Sequence, residues 1–461
     1  MPVVDREFPQ TAACGPAVGY YGDDFTGAAA NLLEFHRRGL RGRLFVRTPP
    51  LDGLLAQLAG LDVIGIAGIG RSLGPDAMAD EVRPAFELLR ALDCALVQYK
   101  ICSTFDSSPT RGNFGVVLDL AREAFGDQAV AVLAAHPDFG RYTVFGEHFA
   151  DYRGTVYRLD RHPSMSMHPS TPMDEADLRI HLGRQTAWPI ASCDWQRLRA
   201  GEGAAALDGD RSRVVIFDAL EHADLERVAA AVWSRRSARR STFTLSSHGF
   251  AAGLAACMSV GRTQPPAQPQ AAVDRMLVLS GSCSPQTATQ IARAESSGWK
   301  TMRLALDRLA DGGGAALVDE VASKAIETLD RGQSLVVYSA TGPQDAAIAR
   351  DRAGLERGGV ESSAAIGRLY GDVLRRVRAS VALPRFALAG GDTSSQTLRA
   401  LGIEALAIDA INESSQEPFL RLHAGTTSDG HAFDGAQVLL KAGQNGPDDY
   451  FDAAQRGAGW V

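Results

Sequence analysis

Short runs of uninterrupted apolar residues, each closed by a small-residue or polar turn and set beside a helix-compatible stretch, recur along almost the whole of this chain. Val18-Gly19-Tyr20-Tyr21 leads into Gly22-Asp23-Asp24-Phe25-Thr26-Gly27, and Ala28 to Arg38 then has the spacing of an amphipathic helix stopped by Gly39. Leu61 to Ala67, Cys94 to Tyr99 and Ala129 to Ala134 are further strand candidates. Met276 to Leu279, Ser334 to Ser339 and Arg385 to Ala389 repeat the pattern in the second half, the first of them followed by a helical stretch from Pro285 to about Ser297. A sheet with one wet face alternates polar and apolar positions. Runs that are apolar throughout must be buried on both faces, as in a parallel sheet covered by helices. Ligands in such sheets bind outside the carboxyl ends of the strands, so the polar turns are where a site is expected.

At 461 residues the chain exceeds the size at which one core keeps growing, so two domains are expected. The polar, proline-rich stretch Gly261 to Gln270 cannot pair in a sheet and marks the boundary. The expected fold is α/β, with two domains that each carry a mostly parallel sheet flanked by helices and with the site in the cleft between them. Their bounds are 1–262, a linker 263–275, and 276–461. The segment Tyr152 to Asp177, with His162-Pro163-Ser164-Met165-Ser166-Met167-His168-Pro169-Ser170-Thr171-Pro172-Met173, reads as a long ordered loop or lid, or as a surface excursion without chemistry.

A formal charge of −7 argues against a nucleic-acid surface and leaves small molecules as the expected partners, a local anion site included. The six cysteines show neither CxxC pairs nor zinc-type spacing and read as reduced thiols. No apolar run approaches the roughly 20 residues that span a bilayer, and the start MPVVDREFPQ is not a signal peptide, so a cytoplasmic protein is expected.

The turn Gly22 to Gly27 holds two adjacent carboxylates where a helix begins. Asp23 or Asp24 can cap that helix, and the other is then free to accept a proton from a substrate hydroxyl as a general base. Lys100, Ser103 and Thr104 end the third strand candidate of the first half and suit a polyhydroxylated carboxylate, although a polar strand end that caps the next helix would look the same. Arg71 offers another guanidinium. In the second half, Gly390-Gly391-Asp392-Thr393-Ser394 precedes a helix expected to start near Ser395. Its glycines admit close approach of a phosphate, its hydroxyls donate, and Asp392 can orient a magnesium-bound water. Gly281-Ser282-Cys283-Ser284 and Lys441-Ala442-Gly443 are two more such turns, and together the three suggest one nucleotide crevice. There is no GxxxxGK[ST] loop, no GxGxxG fingerprint after a first strand, no protein-kinase His-Arg-Asp loop, and no HExxH zinc spacing among histidines such as His136, His148, His168 and His248.

In combination these motifs resemble the four-carbon acid sugar kinase family. Gly22 to Ala28 is similar to its Asp-Asp-Leu/Phe-Thr-Gly-Ala signature, Lys100, Ser103 and Thr104 to its Lys-x-x-Ser-Thr segment, and Gly140-Arg141-Tyr142-Thr143 to its Gly-Arg-x-Thr stretch. The three small-residue turns of the second half resemble its nucleotide-binding turns. His168 to Met173 and Ser103 to Gly115 resemble the 3-oxo-tetronate kinase branch. Ala442 and Asn445 depart from the family, which has Ser and Phe there, and Arg421 to Gly435 is longer than usual. The resemblance implies an ATP- and Mg²⁺-dependent kinase for the terminal hydroxyl of a 3-oxo-tetronate, threonate or erythronate. It implies Asp24 or Asp23 as catalytic base and Arg71, Lys100, Ser103 and Thr104 on the substrate. It also implies Ser282, Ser284, Gly390, Gly391, Asp392, Thr393 and Gly443 on the nucleotide; the metal's protein ligands stay open, with ATP phosphates as its main holders and Asp392 as a candidate. A kinase or ligase-like enzyme for another small hydroxy acid, or a non-catalytic sensor of nucleotide and sugar acid, are the competing readings. Oligomeric state stays open, a homo-oligomer included.

Overall fold

The structure, a computed structural model, describes residues 15–168, 170–208, 213–237, 240–262, 270–310, 313–342, 345–346, 348, 362–411, 418–425, 431–443 and 445–457. The chain divides into two compact units, Met1–Pro265 and Pro266–Val461. Residues 263–269 of the expected linker lie outside the described residues.

Among its described residues the first unit carries eight parallel strands: β1 (Val18–Gly22), β2 (Gly42–Phe45), β3 (Val63–Ala67), β4 (Leu96–Lys100), β5 (Val130–Leu133), β9 (Ile190–Cys193), β10 (Val214–Phe217) and β11 (Thr242–Ser246). Their order is β2-β3-β1-β4-β11-β5-β10-β9, and every neighbouring pair is parallel. All residues of β1, β3, β4, β5, β10 and β11 are buried, as their apolar runs require. Three antiparallel strands, β6 (Arg141–Val144), β7 (Glu147–Tyr152) and β8 (Thr155–Arg158), form a separate small sheet.

The second unit carries β12 (Leu277–Ser280), β13 (Lys300–Arg303), β14 (Leu335–Tyr338), β15 (Arg385–Ala389), β16 (Ile403–Ile411), β17 (Pro418–Ala424) and β18 (Gln437–Lys441). Their order is β13-β14-β12-β15-β18-β17-β16, parallel up to β18, with β17 antiparallel to both neighbours. Its core gathers Met276, Val278, Ile291, Trp299, Val336, Phe419, Tyr450 and Phe451.

Both units begin with the same winding. In the first, β1 connects to β2 on one side of the sheet and β4 connects to β5 on the other; β12 and β15 diverge in the same way. Adjacent parallel strands whose outgoing connections part leave a crevice beyond their carboxyl ends. The expected turns lie at these two places.

Two expectations change. The helix of the second unit begins at Gly391 rather than near Ser395 and runs to Ala400. Gly390, at φ +105, reverses the chain in a single residue, so Asp392, Thr393 and Ser394 fall in the first helical turn. The segment 152–177 is only partly loop, since β8 lies within it. Its histidines tie turns, His162 Nδ1 accepting from the N–H groups of Ser164 and Met165 and His168 Nδ1 from that of Thr171. Pro169 lies outside the described residues.

Candidate active site

In the first unit, β1 ends with Gly22 in register with Lys100 of β4. The Asp23 N–H donates to the Lys100 carbonyl (3.0 Å) and the Arg71 N–H to the Asp23 carbonyl (3.1 Å), so three strand ends are stitched together by backbone before any side chain acts. Asp24 is the N-cap of the helix Phe25–Arg37, its carboxylate accepting from the Gly27 N–H (3.1 Å) and the Thr26 hydroxyl (2.8 Å). Its other oxygen accepts from Arg71 Nη2 and from Lys100 Nζ, each at 2.8 Å. Asp23 is held by Arg71 in a two-point contact (3.1 and 3.2 Å) and lies 3.5 Å from Lys100 Nζ. Gly27 makes this possible: a methyl group there would come within 1.7 Å of Lys100 Nζ.

Lys100 is fully buried, and an ammonium without partners there would be costly. Burial opposes its charge, yet Asp24 and Asp23 hold its pKa above the ordinary lysine value. Burial alone would raise Asp24, but Arg71 and Lys100 hold its carboxyl well below the usual carboxylate range. At Asp23 burial prevails over the same two cations, and its pKa is raised. The side chains differ in access too, 1% exposed for Asp23 and 18% for Asp24.

Thr104 is buried and gives its hydroxyl proton to Asp106 (2.6 Å), which lies 3.6 Å from Arg71 Nη1. Asp106 therefore joins the cluster, so the cations Arg71 and Lys100 face three carboxylates. Ser103 is partly exposed, and its carbonyl accepts from His148 Nε2 at 2.8 Å. His148 on β7 thus ties the small sheet to the turn after β4, while its Nδ1 meets the Thr143 hydroxyl at 3.0 Å. Asp106 and His148 are members of this network that sequence reasoning did not assign to it, and the pair His136 and His248 stacks beyond neighbouring strand ends. The signal for the pair was position, since each histidine follows a strand end.

In the second unit the three expected turns meet. The Gly281 N–H donates to the Ala389 carbonyl and the Gly390 N–H to the Lys441 carbonyl, both at 2.9 Å. Ser284 caps the helix Pro285–Ser296, accepting from the Thr287 N–H, and its hydroxyl donates to the Gly443 carbonyl. The Ser282 and Thr287 hydroxyls lie 2.9 Å apart. Buried Lys441 donates to Thr287 Oγ1 (3.0 Å) and to the carbonyls of Ala442 (2.8 Å) and Gly443 (3.0 Å). Thr393 lies so close to Gly281 that a methyl group on the glycine would sit 2.0 Å from its hydroxyl oxygen. Exposed Asp392 stands in the first turn of the helix Gly391–Ala400, whose leading N–H groups have no helical acceptor. At the departures Ala442 and Asn445 it is backbone that makes contacts, with Lys441 Nζ and Gln290 Nε2 respectively. Within the longer segment 421–435, Arg421 pairs with Asp409 (2.6 Å) and donates to the Gly435 carbonyl (2.9 Å), while residues 426–430 lie outside the described residues. Among the described residues no group of three or more His, Cys, Asp or Glu side chains could hold a metal ion, and no helix is long and apolar enough to cross a membrane.

Residues 18–254 match the sugar-binding N-terminal domain model and residues 277–451 the nucleotide-binding C-terminal domain model. A 3-oxo-isoapionate kinase from Paraburkholderia graminis is 38% identical over 96% of this chain and 95% of its own. A 3-oxo-tetronate kinase from Methylobacterium radiotolerans is 32% identical over 84% of this chain and 88% of its own. Among solved structures, a Salmonella typhimurium LT2 protein provisionally described as a tRNA synthase superposes with a TM-score of 0.75 at 25% identity, covering 95% of this chain and 98% of its own. The chain belongs to the four-carbon acid sugar kinase family. It is an acid sugar kinase, an ATP-using phosphotransferase that acts on a hydroxyl group.

Proposed function

We propose that the chain transfers the γ-phosphoryl group of ATP to a hydroxyl of a 3-oxo acid sugar, with Asp24 accepting the hydroxyl proton. The 3-oxo acid is favoured because relatives named for two different 3-oxo acids align along most of this chain. The observation that carries the choice of base is access: both carboxylates touch Arg71 and Lys100, but only Asp24 reaches solvent. Its low pKa is compatible with the task, because phosphoryl transfer through a loose transition state depends on positioning and charge neutralisation more than on a strong base. Asp24 already accepts from Arg71, Lys100, Thr26 and Gly27, so the incoming hydroxyl must displace one of these donors. Asp23 fixes the Arg71 guanidinium.

Arg71, Lys100, Ser103 and Thr104 make up the acid-sugar side. Ser282, Ser284, Gly390, Gly391, Asp392, Thr393 and Gly443 make up the nucleotide side, where glycines and a helix start favour phosphate. Mg²⁺ keeps several waters and binds through substrate phosphates plus one or two carboxylates. The exposed carboxylate of Asp392 suits that role, and the ion would neutralise phosphate charge.

The test is nucleotide release over 3-oxo-isoapionate, 3-oxo-tetronate, threonate and erythronate. ADP without AMP is expected, with higher kcat/KM on the 3-oxo acids; preference for threonate or erythronate refutes the 3-oxo assignment. Asp24→Asn should lower kcat about 10²- to 10⁴-fold, the usual range for a proton-transfer group. Asp23→Asn should act mainly on KM, through Arg71. Near-wild-type turnover in both variants means that neither carboxylate is the base.

A further inference from the structure

Strands β1, β4, β11 and β5 are consecutive neighbours. Register places Lys100 opposite Ser246 and Ser246 opposite Leu133. The Ile101 N–H donates to the Ser246 carbonyl (2.9 Å) and the Ser247 N–H to the Leu133 carbonyl (2.8 Å), so the ends of β4, β11 and β5 remain tied together past the sheet. His248 opens the eleven-residue helix His248–Met258 directly after β11, and His136 follows β5. The helix start is pressed against the end of β5: a methyl group on Gly249 would lie 2.3 Å from the Ala135 carbonyl and 3.2 Å from His136 Cβ.

The two imidazoles lie face to face at a tilt, with centroids 4.4 Å apart, and Phe139 closes the group at 4.4 Å from His136 and 4.9 Å from His248. His136 is 1% exposed, and neither of its ring nitrogens has a hydrogen-bond partner. A buried polar group without a partner is costly. His248 is partly exposed. Burial and the nearby His136, Lys100 and Arg141 keep its pKa well below the usual histidine range against the pull of Asp24, so its ring is neutral near pH 7, with one donor and one acceptor nitrogen.

We infer that His248 contacts the acid sugar, its imidazole hydrogen-bonding an uncharged oxygen of the substrate, hydroxyl or oxo, beside the hydroxyl that Asp24 serves, with His136 and Phe139 holding the ring in place. The inference rests on the proposed reading of the Asp24 site. Arg71 and Lys100 are already answered by Asp23, Asp24 and Asp106. Of the neutral groups, Thr104 already gives its hydroxyl proton to Asp106, and His248 adds a neutral donor-acceptor for the oxygens along the sugar.

Steady-state kinetics of wild type, His248→Phe, His248→Gln and His248→Asn test it, with both substrates varied. Phe keeps a packed ring and removes both nitrogens; Gln returns a polar group of similar reach and Asn a shorter one. The KM for the acid sugar is expected to rise about tenfold or more in His248→Phe, to recover partly in His248→Gln and less in His248→Asn, while the KM for ATP stays within twofold. An acid-sugar KM equal to wild type in all three variants, or equal rises for both substrates, overturns the inference. If His248→Phe folds poorly, the order of Gln and Asn decides it, and no difference between either and wild type overturns it. A wild type that releases no ADP with any acid sugar removes the functional reading and this inference together. An active wild type with indifferent variants removes the inference alone.

Discussion

His148 makes the stability of the first unit fall with acid, and the size of the effect follows from its surroundings. The side chain is fully buried, with Nε2 against the Ser103 carbonyl and Nδ1 against the Thr143 hydroxyl. A carbonyl can only accept, so Nε2 carries the proton and Nδ1 accepts from Thr143, a neutral tautomer satisfied at both ends. Burial lowers the pKa from 6.5 to about 4, opposed by the Ser103 carbonyl and assisted by Arg141. A folded pKa below the unfolded one means that the unfolded chain binds the proton first. The contribution is therefore complete above pH 6.5 and is lost as the pH falls toward 4. Between pH 6.5 and 4.5 the loss amounts to about 2 kcal/mol from this residue. His148→Gln keeps a donor and an acceptor but does not titrate. Urea unfolding at pH 6.5, 5.5 and 4.5, followed by tryptophan fluorescence, should show wild type losing about 2 kcal/mol more than the variant over that interval. Losses equal within about 0.5 kcal/mol would refute the neutral, buried imidazole.

On the nucleotide side, Gly281→Ala drives a methyl group into Thr393, a strain of about 1–3 kcal/mol. It should raise the KM for ATP roughly tenfold and leave that for the acid sugar unchanged, and an unchanged ATP KM would show that this turn does not serve the nucleotide. Chelation with EDTA should abolish turnover, and Asp392→Ala should raise the Mg²⁺ concentration needed for half-maximal rate several-fold; activity that survives EDTA would exclude a Mg²⁺–ATP donor. The Asp23, Asp24 and His248 variants described above complete the set.

The fold was legible because burial on both faces leaves a one-dimensional trace. RFALA and CALVQY can be read without knowing what packs on them, and both hold strands, β15 and the shifted β4. Strand β13 reads Lys-Thr-Met-Arg and is exposed or half-buried throughout, so nothing in its composition sets it apart from a loop. The turn at Gly390 was misjudged for a different reason: its helix has no side-chain cap to announce it, and the positive φ of one glycine sets the start. In the first unit, the Asp-Asp turn and Lys100 stood out as charges beside apolar runs. The sequence does not display that Lys100 and Arg71 meet those carboxylates first, because residues 47 to 77 positions apart come together only through strand order. His136 and His248 were hidden by the same cause, since their significance lies in stacking on each other across β11 and β5.

The two crevices share a winding order, and the cap residue of each first helix separates their chemistry. In the first unit the positive end of the helix Phe25–Arg37 meets the ionised carboxylate of Asp24, which satisfies its N–H groups and places negative charge where a phosphate would otherwise sit. In the second, the helix Pro285–Ser296 is capped by the neutral hydroxyl of Ser284, and the helix Gly391–Ala400 has no side-chain cap at all. The helix Pro285–Ser296 has no acid in its first turn, and glycines beside these two helix starts allow close approach, while exposed Asp392 in the first turn of Gly391–Ala400 is the carboxylate proposed to meet the metal. This contrast supports the proposed division, with the triphosphate at the second crevice and the sugar hydroxyl at the first. The first is left with what a sugar hydroxyl needs: a carboxylate already stripped of its proton and cations fixed beside it.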